Sequence, residues 1–588
     1  MLPRCPVPQF RNAPRKHGRY GVRPSQKHGM LPLETALSKR RVLAGGLLGF
    51  LCLAIAQPAF AQSGEPAAVA PATNSGDTAW ILTSTALVLM MTIPGLALFY
   101  GGLVRSKNVL STLMHSFFCA GLISVTWVLY GYSLAFGPNS LGGLVGGLDF
   151  LALRNVLGQT NGTIPLILFV MFQGTFAIIT PALISGAFAE RMRFSAFALL
   201  MLLWSTFIYA PLAHWVWGGG WIQQLGALDF AGGTVVHISS GIAALVTAIY
   251  CGKRFGHGRE PMPPHNLPFT VLGASLLWVG WFGFNAGSAL GSNELASLAF
   301  INTNTAAAAA ALGWMIAEWL KSGKPTILGA ASGAVAGLVV ITPAAGFVTP
   351  LSALVMGALG GVVCYTAVSL KPRIGYDDAL DVVGVHMVGG TLGALLTGLL
   401  ATSAANPAIE LEGGLTLLVK QAIAILATYA FSGLGTLLIL MVINLVTRVR
   451  AYREEETMGL DLSQHSERAY AFGGGDPVTA FAGEPRPAMI PPSLGEQFTL
   501  AVEGISPSAI SRHWRGLCQS NGTPPTPEFK QVYANLSTVR ENHFRFRGGD
   551  REEIRADLEA IFKEVTPGAT VRIIEAEQDS SLPMLVGV

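Results

Sequence analysis

Charge is what this sequence has least of. Only 12% of its 588 residues are Asp, Glu, Lys or Arg, about half the roughly 25% of an ordinary soluble domain. Most of the chain is therefore not a water-facing globule. Cysteine is also scarce. Cys5, Cys52, Cys119, Cys251, Cys364 and Cys518 include no CxxC pair, so neither a disulfide framework nor a thiolate zinc site is indicated. The net charge of +4 is spread over short loops, and no nucleic-acid partner is expected. No cofactor fingerprint appears, and no Ser or Cys nucleophile stands with a base at motif spacing. The expectation is a protein that is not an enzyme and needs neither cofactor nor metal.

What the chain does have is long apolar runs. Hydrophobic residues make up 51%, and mean hydropathy is +0.49. The first run belongs to processing. "LSKRRVLAGGLLGFLCLAIAQPAFAQ" carries a basic start (Lys39, Arg40, Arg41), an apolar stretch and Ala59-Phe60-Ala61 as a cleavage site. Residues 1–61 are read as a signal peptide, with Met30 an alternative start, and 62–78 as a polar leader outside the membrane.

Eleven apolar spans follow, at about 79–100, 112–136, 165–188, 195–214, 233–250, 268–284, 297–320, 328–341, 351–370, 382–401 and 415–446. The eighth is short for a bilayer. Basic residues gather in alternate loops: Arg105 and Lys107, Arg191 and Arg193, Lys253, Arg254 and Arg259, Lys321 and Lys324, Lys371 and Arg373, then Arg448, Arg450 and Arg453. These loops should be cytoplasmic, and a cleaved signal peptide independently places the mature N-terminus outside. Eleven spans then put the C-terminus inside, in the cell membrane.

The spans look duplicated. His237 lies in span five after Asp229, and His386 lies in span ten after Asp381, each near paired glycines. Two five-span units have odd counts, so the second must be inverted, as in transporters with a site at the repeat interface. The fold expected is an all-α polytopic membrane protein with an inverted 5+5 repeat. Residues 79–446 form its membrane domain, 447–472 a cytoplasmic tail and 473–495 a linker. Residues 496–588 read as a small α+β domain of ferredoxin-like order. Its strands are expected at "FTLAVEGI", "EFKQVYANL", "HFRFRGG" and "TVRIIEAE", and its role is expected to be regulatory.

Ionisable groups inside a span are costly, so function is the default reading of His237 and His386. A structural histidine bonded to a neighbouring helix is the alternative for His237 alone; a metal site lacks a third ligand at suitable spacing. Three aromatic stretches call for the same weighing: "FQGTF" with Phe172 and Phe176, "HWVWGGGW" with Trp215, Trp217 and Trp221, and "GWFGFNAGS" with Trp281, Phe282, Phe284 and Ser288. Interfacial belting and ordinary packing remain open for these rings. Aromatic faces beside a hydroxyl also suit a small cation.

At these residues the sequence resembles the Amt/Rh ammonium transporters, in their bacterial Amt branch, over roughly Asp77 to Tyr470. The resemblance is carried by "DTAWILTSTALVLMMTIPGLALFYGGLVRSKNVLS", "AFAERMRFSA", "HWVWGGGW", "GALDFAGGTVVHIS", "GWFGFNAGSA", "EWLKSGKPTILGAASGAVAGLVVITPAAG" and "DVVGVH". It implies that Phe176, Trp217 and Ser288 recruit ammonium on the outer side, with Asp229 close by. Phe176 and Phe284 would be the gate below, and His237 and His386 the paired histidines of the pore. It also implies methylammonium as an analogue and a homotrimer in the bacterial inner membrane. "GLDLSQHSERAY" resembles the tail that in relatives contacts a P-II-type signalling protein, although the extension past Tyr470 puts that partner in doubt. A sensor signalling through the C-terminal module and a Rh-like gas channel are the competing readings.

Overall fold

The computed structural model describes residues 73–470 and 497–574, the latter except 520–527, 529–531, 533–535, 541 and 548–549. The proposed signal peptide and the linker core lie outside the described residues. Polar punctuation between the apolar runs sets the helices. Asn74 accepts from the Gly76 and Asp77 N–H groups and starts α1 (Ser75–Leu103) a turn before its apolar run. Then come α2 (Ser106–Phe136), α3 (Leu166–Phe188), α4 (Phe194–Leu225), α5 (Gly233–Cys251) and α6 (Leu267–Gly287). Asn293 caps α7 (Glu294–Ser322), and Gly323, at φ +77°, ends it. The rest are α8 (Ile327–Ile341), α9 (Pro350–Ile374), α10 (Val383–Leu400) and α11 (Leu415–Val446).

Ten of these helices are long and apolar enough to cross a membrane; the exception is α8, at 15 residues. Its run from Gly333 to Ile341 is buried throughout, so neighbouring helices rather than lipid surround it. Small residues allow that density. A Cβ on Gly337 would stand 2.4 Å from the Ala306 carbonyl of α7.

Opposite directions for α5 and α10 follow from one ion-pair cluster. Arg254, three residues past α5, pairs with Asp377 just before α10 at 2.9 Å. It also reaches the buried Glu190 at 3.2 Å, and Arg105 reaches the same carboxylate at 2.8 Å. The end of α5 and the start of α10 therefore share the arginine-rich face, as an inverted pair requires. The two helices touch backbone to backbone: a Cβ on Gly241 would lie 2.4 Å from the Met387 nitrogen.

Past α11, α12 (Arg453–Met458) and α13 (Leu460–His465) dock on the same face. The Asp461 carboxylate accepts from the Leu110 and Ser111 N–H groups at 3.0 and 2.7 Å, at the start of the regular part of α2.

Residues 497–574 belong to a second compact unit. Its elements are β1 (Gln497–Glu503), α14 (Pro507–Gln519), β2 (Leu536–Arg540), β3 (His543–Arg547), α15 (Arg551–Lys563) and β4 (Thr570–Ile574). The antiparallel sheet runs in the order β2-β3-β1-β4, which is the ferredoxin-like arrangement. Phe498, Leu500, Val502, Phe544 and Phe546 pack on Trp514, Leu558 and Phe562. One expectation fails: "EFKQVYANL" is not the second strand. Glu528 and Val532 are helical and Val532 sits in the core, while the strand begins at Leu536. Its spaced apolar residues fit a helical face as well as a short strand.

Candidate functional site

Both histidines stand in π-helical turns, His237 within Gly233–Ile238 and His386 within Val383–Met387. Such wide turns re-aim side chains and recur at functional sites. The two rings stack at 5.2 Å between centroids, with 3.2 Å between their Nδ1 atoms. A Cβ on Gly390 would lie 3.1 Å from the His237 Cβ, so glycine is what lets α10 come this close. A hydrogen bond between two Nδ1 atoms needs one donor and one acceptor. For a neutral pair the tautomers are then fixed: the Nδ1–H ring leaves its Nε2 bare, and the other ring carries Nε2–H. The pair thus offers one donor and one acceptor without net charge. His237 Nε2 is buried and finds no hydrogen-bonding partner among the described residues.

These two imidazoles line a cavity whose remaining walls are apolar or aromatic, among them Phe284, Trp281, Ile179, Leu183, Leu277 and Val335. His237 stacks on Trp281 at 5.4 Å and on Phe284 at 6.1 Å. Thr342 accepts the Trp281 indole N–H at 2.9 Å and fixes that ring. Phe284 meets Phe176 at 4.3 Å, and Phe176 meets the edge of Trp217 at 6.0 Å. Phe176, Phe284, His237 and His386 are all buried, whereas Trp217 and Ser288 are only half-buried. A continuous file of rings therefore runs from a partly open mouth to the histidine pair. Ser288 stands one helical turn past Phe284 and donates to that residue's carbonyl at 2.8 Å.

Asp229 does not face the cavity as a free charge. Its Oδ1 accepts from the Gly232 and Gly233 N–H groups at 2.9 and 2.6 Å, and its Oδ2 from Thr234 and Val235 at 2.9 and 3.1 Å. It thereby satisfies the unpaired donors that start α5. Burial pushes its carboxyl up to about 6, against the pull of those four N–H groups. Its own carbonyl accepts the Trp217 indole N–H at 2.9 Å.

The counterpart in the second half is Asp378, not the Asp381 expected from the sequence. Asp378 is buried, and its carboxylate accepts from the Val383 N–H at the start of α10. Asp229 and Asp378 each precede a histidine by eight residues. Asp381 instead ion-pairs with Lys371 at 2.5 Å. Equal spacing to the histidine was the signal that could have found the match.

Other sequence candidates lie off the file. Phe282 stacks on Phe300 of α7 at 3.9 Å. Trp215 packs on Phe431 at 4.4 Å and donates to the Leu144 carbonyl. Phe172 contacts Phe176 edge-on at 5.0 Å. Among the described residues no group of three His, Cys, Asp or Glu side chains could hold a metal.

An inverted pair of helices meeting at an apolar-walled, two-imidazole cavity, inside a bundle of membrane-length helices, defines a polytopic membrane protein with a buried polar pair at its centre. The comparisons agree. Residues 79–470 match the model of the Ammonium Transporter Family, and the chain belongs to that family. It is 56% identical over 402 residues to the ammonium transporter of Bacillus subtilis, covering 67% of this chain and 98% of that protein. To ammonium transporter Amt1 of Archaeoglobus fulgidus it is 48% identical, covering 68% of this chain and all of that one. Among solved structures, Candida albicans Mep2 superposes with a TM-score of 0.63 at 37% identity, over 66% of this chain and 89% of Mep2. A structure titled Sensor Amt Protein superposes with a TM-score of 0.62 at 29% identity, over 66% of this chain and 98% of that one.

Proposed function

We propose that this protein moves ammonium across the bacterial inner membrane by taking it up as the cation and passing it on as ammonia. Phe176, Trp217 and Ser288 recruit ammonium at the outer mouth, with Asp229 holding Trp217 in place. Below the Phe176–Phe284 gate the cation passes its proton to the bare Nε2 of the histidine pair, which can relay it onward, and the ammonia left behind continues along His237 and His386. The 3.2 Å histidine contact inside an otherwise apolar cavity carries this reading.

The energetics favour deprotonation. Moving a bare cation into such surroundings costs on the order of tens of kcal/mol, and one aromatic site returns only about 2 kcal/mol. Neutral ammonia escapes that penalty but still needs hydrogen-bond partners. The uncharged imidazole pair supplies a donor and an acceptor, and the unpartnered His237 Nε2 is free to take the guest. Potassium has no proton to lose and is turned back at the gate. Family membership supports the further reading of a homotrimer with its arginine-rich face cytoplasmic, where a P-II-type protein could bind the tail.

Purified protein in proteoliposomes tests this directly. In His237→Ala the ammonium-driven current should fall about tenfold or more, or potassium should begin to permeate. Flux and potassium exclusion both unchanged would sink the assignment.

A second reading has its own support. The matched region ends at Tyr470, the ferredoxin-like unit lies beyond it, and a sensor protein is among the structural neighbours. In that reading the membrane core detects ammonium and the C-terminal unit reports it.

A further inference from the structure

Gln421 lies in the second turn of α11 and is 1% exposed. Its side-chain oxygen accepts the Leu228 N–H at 2.8 Å, and its side-chain nitrogen donates to the Leu228 carbonyl at 2.8 Å. The same nitrogen donates to the Ala394 carbonyl of α10 at 3.1 Å. One amide thus closes both backbone groups of Leu228, much as a neighbouring strand would, and ties that residue to the helix carrying His386. Leu228 immediately precedes Asp229, whose carbonyl holds the Trp217 indole and whose carboxylate holds the first turn of α5.

We infer that Gln421 is a positioning residue for the recruitment site: it fixes the Leu228–Asp229 backbone, and through it the ring of Trp217, without touching the substrate. This rests on the transport reading above. Removing the clamp leaves the N–H and carbonyl of half-buried Leu228 unpaired, while the Ala394 carbonyl keeps its bond within α10, so the Leu228 segment must shift to find new partners. Trp217 moves with it, because its N–H is anchored on that segment and not on α4. The histidine pair has its own packing against Trp281 and Gly390 and should keep its geometry. Recruitment should therefore weaken while passage stays intact.

The test uses the full-length protein in proteoliposomes, reading KM and Vmax for methylammonium, ammonium-driven current, and thermal unfolding in detergent. Gln421→Met keeps the volume and removes every hydrogen bond. KM should rise about tenfold, with Vmax held within about twofold. Gln421→Glu keeps the acceptor for the Leu228 N–H but sets an acceptor-only oxygen against the two carbonyls the amide nitrogen bonded, and should also raise KM. A folded Gln421→Met protein with wild-type KM, or one that loses only Vmax, overturns the inference. Should Gln421→Met fail to fold, a wild-type KM in Gln421→Glu overturns it equally. Wild-type protein that takes up no methylammonium would instead defeat the transport reading; transport with unaltered KM in both variants defeats the positioning role alone.

Discussion

Asp229 joins the two tasks of the mouth, because one side chain caps α5 and one carbonyl of the same residue anchors Trp217. With its carboxyl raised to about 6, its charge changes within an accessible range. An acid whose pKa is raised in the fold favours its protonated form there. As pH falls through about 6 the carboxylate gains a proton, and one oxygen stops being a full acceptor for two N–H groups. The negative charge near the mouth vanishes in the same step. Apparent KM for ammonium should therefore rise as pH falls from about 7 to about 5, a range in which ammonium stays the dominant species. In Asp229→Asn the KM should start high and stay flat. A wild-type KM constant across that range would refute the link. Several residues at this scale were open to sequence reading. His237 and His386 stand out because titratable groups are rare in apolar runs. Phe176, Trp217 and Phe284 emerge from aromatic clusters, the first on a face of span three and the other two near span ends. Trp281 appears only as one ring of its cluster, with no role of its own, and Gln421 not at all, since a tryptophan near a span end and a glutamine near a helix start each have ordinary explanations. Only the fold shows the ring stacking and the doubled backbone clamp.

Helix ends are held on the arginine-rich face by charges that water scarcely reaches. Burial raises the Asp377 carboxyl, but the bonds and charge of Arg254 outweigh it and hold the group well below the usual carboxylate range. That stabilisation is present above the unfolded carboxylate pKa of about 3.9 and is lost as pH falls through the lower folded value, so mild acid should not open the cluster. Arg254→Ala leaves Glu190 and Asp377 with a missing partner, and Glu190 keeps only Arg105. The expected cost is about 3–5 kcal/mol, read as a fall in the unfolding midpoint of the detergent-solubilised protein. A midpoint within a degree or two of wild type would contradict the structure. Most span ends were legible to within a turn or so, because bilayer length imposes long runs that loops interrupt, although α4 runs on past the expected 214 to Leu225. The start of α2 was less so: it opens on polar Ser106, Lys107 and Asn108, yet Asp461, over three hundred residues away in the chain, pays for the unpaired N–H groups of Leu110 and Ser111. Distant caps leave no local trace. The same limit misplaced β2 of the C-terminal unit, where the apolar spacing served a helix.

At the scale of the whole chain the transporter and sensor readings part. The family match stops at Tyr470, and the ferredoxin-like unit has a core of its own, so removing residues 496–588 should leave the membrane bundle folded. In the transport reading, methylammonium uptake by cells carrying the truncated chain stays within about twofold of wild type. Abolished uptake by a truncated protein that still reaches the membrane would show that the appended unit is part of the transport machinery. The inverted repeat was only faint in the sequence, since helix packing constrains size and polarity more than identity. It becomes plain once Asp378 replaces Asp381 as the partner of Asp229. That matched spacing also dictates where the gene tolerates lengthening. A codon added between Asp229 and His237, or between Asp378 and His386, would turn an imidazole roughly 100° around its helix and out of the lumen, whereas extra codons in the exposed stretch near Leu157 should pass unnoticed.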